Sequence, residues 1–211
     1  VYDNMLYEGG FESIASLPGM FERTVILNGF SKSYAMTGWR VGYGVCVPEL
    51  AAAFGKLMTN TDSCTCAFNQ VACVEALRGS QEGARAMMAE FKRRRDFFVK
   101  GLNEIEGFHC VNPRGAFYAF PNVREAAASC GMDFRRLADY LLDEAGVACL
   151  AGTCFGDYGA DFIRFSYAQS LENLGEVLAA GCRRVAVCGA IVGAEDPEGA
   201  TREFLARLGK V

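Results

Sequence analysis

Two short apolar runs near the start of the chain, Val25-Ile26-Leu27 and Val41-Gly42-Tyr43-Gly44-Val45-Cys46-Val47, restrict its folding more than any other feature. Both are rich in β-branched residues and bounded by glycine or proline, which predicts buried strands within residues 23–28 and 39–47. The stretch between them, residues 29–38, is too short for the helical crossover that joins parallel neighbours. It is also polar, with Ser31, Lys32, Ser33, Tyr34 and Thr37 crowded where two core strands end.

Downstream, residues 69–77 read as a helix. Residues 81–105 carry Ala84, Met87, Met88, Phe91, Phe98, Leu102 and Ile105 close to a 3.6-residue period, which predicts a long amphipathic helix. Its run Lys92-Arg93-Arg94-Arg95 reads as a solvated helix face. Residues 108–111 and 116–120, joined by Asn112-Pro113-Arg114-Gly115, read as a hairpin. Asp133 is placed to cap a helix through Phe134, Leu137, Ala138, Leu141, Leu142 and Ala145, with Gly146 as its terminator. Residues 147–150 and 162–167 read as strands, and Ser170 opens a last helix through Leu171, Leu174, Val177, Leu178 and Val185. Strands and helices that follow a long helix indicate a separate α/β domain. Residues 1–80 are assigned to a first part of the chain and residues 81–186 to the long helix and the separate domain. Residues 187–211 form a tail of no legible role.

Among the 211 residues, 51% are hydrophobic and 22% charged, enough apolar material for a real core. A net charge of −4 gives no long-range attraction for nucleic acid or an anionic membrane, so small-molecule or protein partners are favoured. No run approaches the roughly 20 apolar residues of a membrane span. The ten cysteines are irregularly spaced and sit mostly in apolar runs, which predicts small core residues in a reducing cytoplasm. Cys64-x-Cys66 lacks a second pair, and the chain has one histidine, so no structural metal is expected. His109, in the expected hairpin, reads as structural. No Gly-rich dinucleotide or nucleoside-triphosphate loop is present, which argues against dehydrogenase and kinase chemistry.

The run Asn28-Gly29-Phe30-Ser31-Lys32-Ser33-Tyr34-Ala35-Met36-Thr37-Gly38-Trp39-Arg40-Val41-Gly42-Tyr43 closely resembles the cofactor-lysine segment of class I aminotransferases of the aspartate-aminotransferase superfamily. Val1-Tyr2, Gly115-Ala116-Phe117-Tyr118, Gly152-Thr153-Cys154-Phe155-Gly156 and Ile163-Arg164-Phe165-Ser166-Tyr167 fit the same family in the same order, over about residues 1 to 185. The resemblance implies the C-terminal part of a large domain with a mostly parallel sheet, followed by a small α/β domain. It also implies a homodimer when full length, with residues 61–70 near the neighbouring subunit's site.

Pyridoxal 5'-phosphate is the cofactor so implied, and Lys32 the amine that holds it as a Schiff base. Such chemistry needs a lysine whose ammonium form is destabilised by desolvation or by nearby positive charge. The resemblance further implies that Arg40 and Ser31 bind the phosphate and that Tyr2 hydrogen-bonds the cofactor's phenolic oxygen. Arg164 would clamp the α-carboxylate of an amino acid or 2-oxo acid substrate. That arginine draws notice without the family, because an arginine in an otherwise apolar strand is costly to bury without a partner.

The family aspartate that pairs with the cofactor ring nitrogen falls three positions before Tyr2, ahead of Val1, and the usual proline before the Gly152 loop is Ala151. The chain is therefore expected to be a fragment that binds the cofactor weakly and does not turn over alone. Two other readings stay open: a carbon–sulfur lyase of the same fold, and a non-catalytic aminotransferase-like binding or regulatory module.

Overall fold

The computed structural model describes residues 1–179. The expectations for Val185 and for the tail at 187–211 lie outside the described residues. The chain forms two compact units: Val1–Glu90 with Arg114–Ala116, and Phe91–Pro113 with the chain from Phe117 onward.

In the first unit, β1 (Ile26–Gly29) and β2 (Gly42–Val45) pair antiparallel, with Leu27 opposite Gly44 and Gly29 opposite Gly42. The connection doubles back through tight turns, as its length demands. Gly42 makes the pairing possible, since a Cβ there would stand 2.8 Å from the Asn28 carbonyl oxygen. The expected burial of these strands is not met: Leu27 is 78% exposed, and Val25 and Val45 are also exposed. Their apolar faces have no covering layer among the described residues.

A helix not expected from the sequence, α1 (Pro48–Thr61), follows directly. Pro48 suits its first turn, where no backbone N–H is lost and φ is already helical. The next helix, α2 (Ala67–Arg78), covers the predicted 69–77. Neither is packed on all its apolar positions: α1 buries no residue and α2 only Cys73.

The long helix α3 (Glu82–Asn103) matches the predicted periodicity, and Phe98, Val99 and Leu102 are buried. The basic run is a correction. Arg95 is 1% exposed, donating from Nη1 to the Pro113 carbonyl (2.8 Å) and from Nε to Asp96 Oδ1 (2.8 Å). Four consecutive residues on a helix span its whole circumference, so one of four had to face inward. Burial alone would raise the Asp96 carboxyl, but hydrogen bonds from Lys92 and Arg95, with their charges, outweigh it and hold it below its ordinary value.

The expected hairpin is replaced by a wider arrangement. Residues 109 and 122 meet only at one bridge, His109 to Asn122, while β3 (Tyr118–Ala119) pairs with β5 (Ile163–Ser166). Together with β4 (Leu150–Ala151) they form an antiparallel sheet of order β3-β5-β4. All strand pairs among the described residues are antiparallel, so none of them represents the mostly parallel sheet that the resemblance implied. A short helix, α4 (Arg124–Ser129), follows β3. Asp133 then caps α5 (Phe134–Asp143), accepting from the N–H groups of Arg135 and Arg136. Leu137, Ala138 and Leu141 of α5 are buried, and Gly146 lies at φ 65° just past its end. The final described helix, α6 (Leu171–Ala179), opens at Ser170 as expected, with Leu174 and Val177 buried.

The core therefore lies mainly in the second unit, where Phe98, Leu102, Val123, Leu141, Val147, Ile163, Phe165 and Tyr167 are almost fully buried. Most of the described cysteines do not serve it. Cys73 and Cys110 are buried, whereas Cys64, Cys66, Cys130 and Cys154 are exposed, which corrects the core reading. No helix among the described residues is long and apolar enough to cross a membrane.

Two outcomes follow for stability. Replacing Asp133 by Ala should cost about 1 kcal/mol in a denaturant titration, and Asp133→Asn should restore most of it, because either side-chain oxygen caps the helix. The depressed Asp96 value means its contribution is present above the unfolded carboxyl value, near pH 4, and is lost as pH falls through the folded value. Asp96→Asn should flatten that part of the acid limb of a stability profile, and an unchanged limb would rule the contribution out.

Candidate active site

Lys32 sits on a helical turn at the end of β1. The Phe30 carbonyl accepts from the N–H groups of Tyr34 and Met36 (3.3 Å each), and the Lys32 carbonyl accepts from Ala35 (3.1 Å). Phe30 is 2% exposed, its ring 5.5 Å from those of Tyr34 and Tyr43, so the turn is anchored from beneath. Ser31 and Lys32 are half-buried on top of that anchor. Tyr34 reaches Gln81 Oε1 (3.3 Å), and burial, with Tyr43 and Asp3 nearby, pushes its phenol up, so it remains a donor at neutral pH.

Arg40 stands at the other end of the same connection. A single 3₁₀ turn, Thr37–Trp39, lies between Ala35 at φ 53° and Arg40 at φ 51°. Left-handed geometry at a non-glycine residue costs roughly 1–2 kcal/mol, so neither conformation is set by local preference. The Arg40 side chain is exposed; Nη1 donates to the Thr37 carbonyl (2.9 Å), and Asn69 of α2 donates from Nδ2 to the Trp39 carbonyl (2.8 Å).

Tyr2 is seated by its neighbours. The Val1 carbonyl accepts from the buried Ser33 hydroxyl (3.4 Å), and Asp3 Oδ2 accepts from Asn28 Nδ2 (2.9 Å), which also lies 3.1 Å from the Tyr43 hydroxyl. Residues 1–3 thus run beside the Lys32 turn, and Ser31, Lys32 and Arg40 lie on the one connection between β1 and β2. The Asp3–Asn28–Tyr43 cluster was not anticipated, although Asn28 and Tyr43 bracket the sequence motif.

Arg164 belongs to the second unit. It is on the central strand β5, opposite Leu150, and not on an edge strand facing water. Its guanidinium carbon lies 4.4 Å from the Tyr118 ring centre and 4.5 Å from that of Phe155. Two ring faces offset part of the desolvation of a half-buried cation and leave its in-plane N–H donors for an anion. Phe155 is carried on a loop where Gly152 and Gly159 approach so closely that neither has room for a Cβ. His109 is exposed, with Nε2 3.2 Å from Glu125 Oε2.

The first-unit residues fit a phosphate ester that bears an aldehyde. They supply a primary amine on a rigid turn, a neighbouring hydroxyl, and an exposed guanidinium with only one described hydrogen bond, inside its own turn. A planar fork is well matched to a phosphate dianion. No group of three His, Cys, Asp or Glu side chains suited to a metal occurs among the described residues.

The family profile for aminotransferase class I and II matches residues 1–180. YugH of Bacillus subtilis (strain 168), to which aminotransferase activity is ascribed, is 43% identical over 178 residues, covering 84% of this chain and 45% of that protein. The crystal structure of an aromatic aminotransferase from Pyrococcus horikoshii OT3 superposes with a TM-score of 0.79 at 38% identity, covering 87% of this chain and 48% of that one. The aspartate aminotransferase of Rhizobium meliloti gives the same TM-score and identity, with 88% and 48% covered. The chain thus spans about half the length of these relatives. With matching motifs, an α/β fold similar to theirs and 38–43% identity over most of its length, the chain belongs to the class I and II aminotransferase family.

Proposed function

We propose that the complete protein is an aminotransferase that moves an amino group between an amino acid and a 2-oxo acid, with pyridoxal 5'-phosphate attached reversibly to Lys32 Nζ. The observation that carries this reading is the single connection that holds Lys32 and Arg40, its two ends tied by the Gly29–Gly42 pair. The amine and the guanidinium that we take to bind phosphate thus lie on one connection whose backbone ends are tied together.

When bound, the cofactor supplies an electron sink for charge that develops at the substrate Cα. The residues of this chain supply the rest. Arg40 and Ser31 hold the phosphate, and Tyr2 donates to the phenolic oxygen. Arg164, held over Tyr118 and Phe155, pairs with the α-carboxylate in two parallel hydrogen bonds and so orients the Cα–H bond. The Lys32 amine would serve as the general base that takes the substrate Cα proton and carries it to the cofactor's own carbon on the far side of the amino nitrogen.

Residues 1–80 would be the cofactor-binding part, and 81–186 the linking helix and small domain. The exposed apolar faces of α1 and α2, with Phe54, Leu57, Phe68 and Val71 open to solvent, support a larger assembly. We assign them to contact with the rest of the large domain, whose sheet we take to be mostly parallel, and with a second copy in a cytoplasmic homodimer.

Replacing Lys32 by Ala in the complete protein should abolish the absorbance of the attached cofactor and lower turnover by about 1,000-fold or more; retained turnover would contradict the assignment. Arg164→Ala should lower kcat/KM for amino-acid substrates by about 100-fold, the scale of a charge-assisted pair, with cofactor affinity unchanged. A loss of cofactor without loss of substrate affinity would place Arg164 elsewhere in the chemistry.

A further inference from the structure

We propose that Asn69 is a positioning residue that fixes the conformation in which Arg40 grips the cofactor phosphate. The inference rests on the reading of Lys32 and Arg40 given above, and extends it to a residue on a different helix.

Arg40 leaves the chain at φ 51° and ψ 52°, a conformation its own side chain does not favour. The angle φ is the rotation about the bond that joins the Trp39–Arg40 peptide plane to the Arg40 α-carbon. Whatever holds that plane therefore sets the angle. The plane carries the Trp39 carbonyl oxygen, which accepts the 2.8 Å hydrogen bond from Asn69 Nδ2, a residue 30 positions away. The Arg40 side-chain bond to Thr37 stays inside its own turn, so it cannot orient that turn against the rest of the unit.

Packing does not do so either. A shallow hollow of about 480 Å³, lined by Ala35, Gly38, Trp39, Phe68 and Asn69, lies beside the turn. Trp39 and Phe68 are 45% and 72% exposed. Among the described residues, the hydrogen bond from Asn69 is the polar tie between α2 and the turn.

The other atom of the amide makes the case sharper. Asn69 Oδ1 is buried with no hydrogen-bond partner. Rotating the amide would bring that oxygen against the Trp39 carbonyl, acceptor against acceptor, so the orientation is dictated by the bond to Trp39. An unpartnered buried acceptor destabilises a fold, and an apolar side chain of the same size would avoid that cost. A residue serving only to pack would be better as leucine. What asparagine offers here is the donor.

The test uses the complete protein and two ligands, pyridoxal phosphate and pyridoxal, which lacks the phosphate. Dissociation constants for both are measured with the unsubstituted protein and with Asn69→Leu, together with the melting temperature of the cofactor-free forms. The preference for the phosphorylated ligand should fall about tenfold in Asn69→Leu, with melting temperature equal or higher. In an Arg40→Ala background the same substitution should change the preference no further. An unchanged preference, or equal weakening of both ligands, would overturn the proposal, because a structural defect moves both. If Asn69→Leu does not yield folded protein, Asn69→Ser, which shortens the side chain without apolar bulk, is measured in the same way. Failure of the unsubstituted protein to attach pyridoxal phosphate at Lys32, seen by peptide mapping, would instead overturn the functional reading and this inference with it.

Discussion

The pairing of Gly29 with Gly42 is the constraint on which the candidate site depends. It closes a connection that begins with the Lys32 turn and ends with Arg40, and it requires a residue without a side chain where the Asn28 carbonyl passes 2.8 Å from a would-be Cβ. Once those ends are fixed, Phe30 inserts beneath the turn against Tyr34 and Tyr43. The polar groups above have few places to go. Rigidity of this kind is what an amine and an anion-binding fork need if they are to hold two ends of one small molecule.

The two units differ in how far they are completed by the residues described. The second has a packed core around α3, α5 and the sheet β3-β5-β4, and even its buried Arg95 finds partners in Pro113 and Asp96. In the first, α1 buries nothing and Leu27 of β1 lies open. Among the described residues, the first unit has the strands and turns of the candidate site without a layer that covers those strands. The site's backbone geometry is nevertheless held locally, by hydrogen bonds within residues 28–43 and from residues 1–3, 69 and 81.

Much of this was legible in the sequence because the signals were local. The reversal between β1 and β2 follows from loop length, the α5 cap from Asp133, and the α3 stripe from its spacing. Several misses share a different cause: each of these depends on a partner distant in sequence. Arg95 looked solvated because its acceptor, the Pro113 carbonyl, lies 18 positions on. The hairpin at 108–120 failed because β3 found a better edge in β5, whose register no turn signal announces. Arg164 was suspected as a buried cation, but its neutral partners Tyr118 and Phe155 come from two other segments. Asn69 carried no sequence signal at all, since its role appears only when its donor meets the Trp39 carbonyl.

The central claim is that position 32 is the point of covalent attachment. Borohydride reduction of the complete protein saturated with pyridoxal phosphate, followed by proteolysis and mass spectrometry, tests it most directly. The account predicts one stable phosphopyridoxyl adduct, on the peptide that contains Lys32. An adduct confined to another lysine, or none, would contradict it.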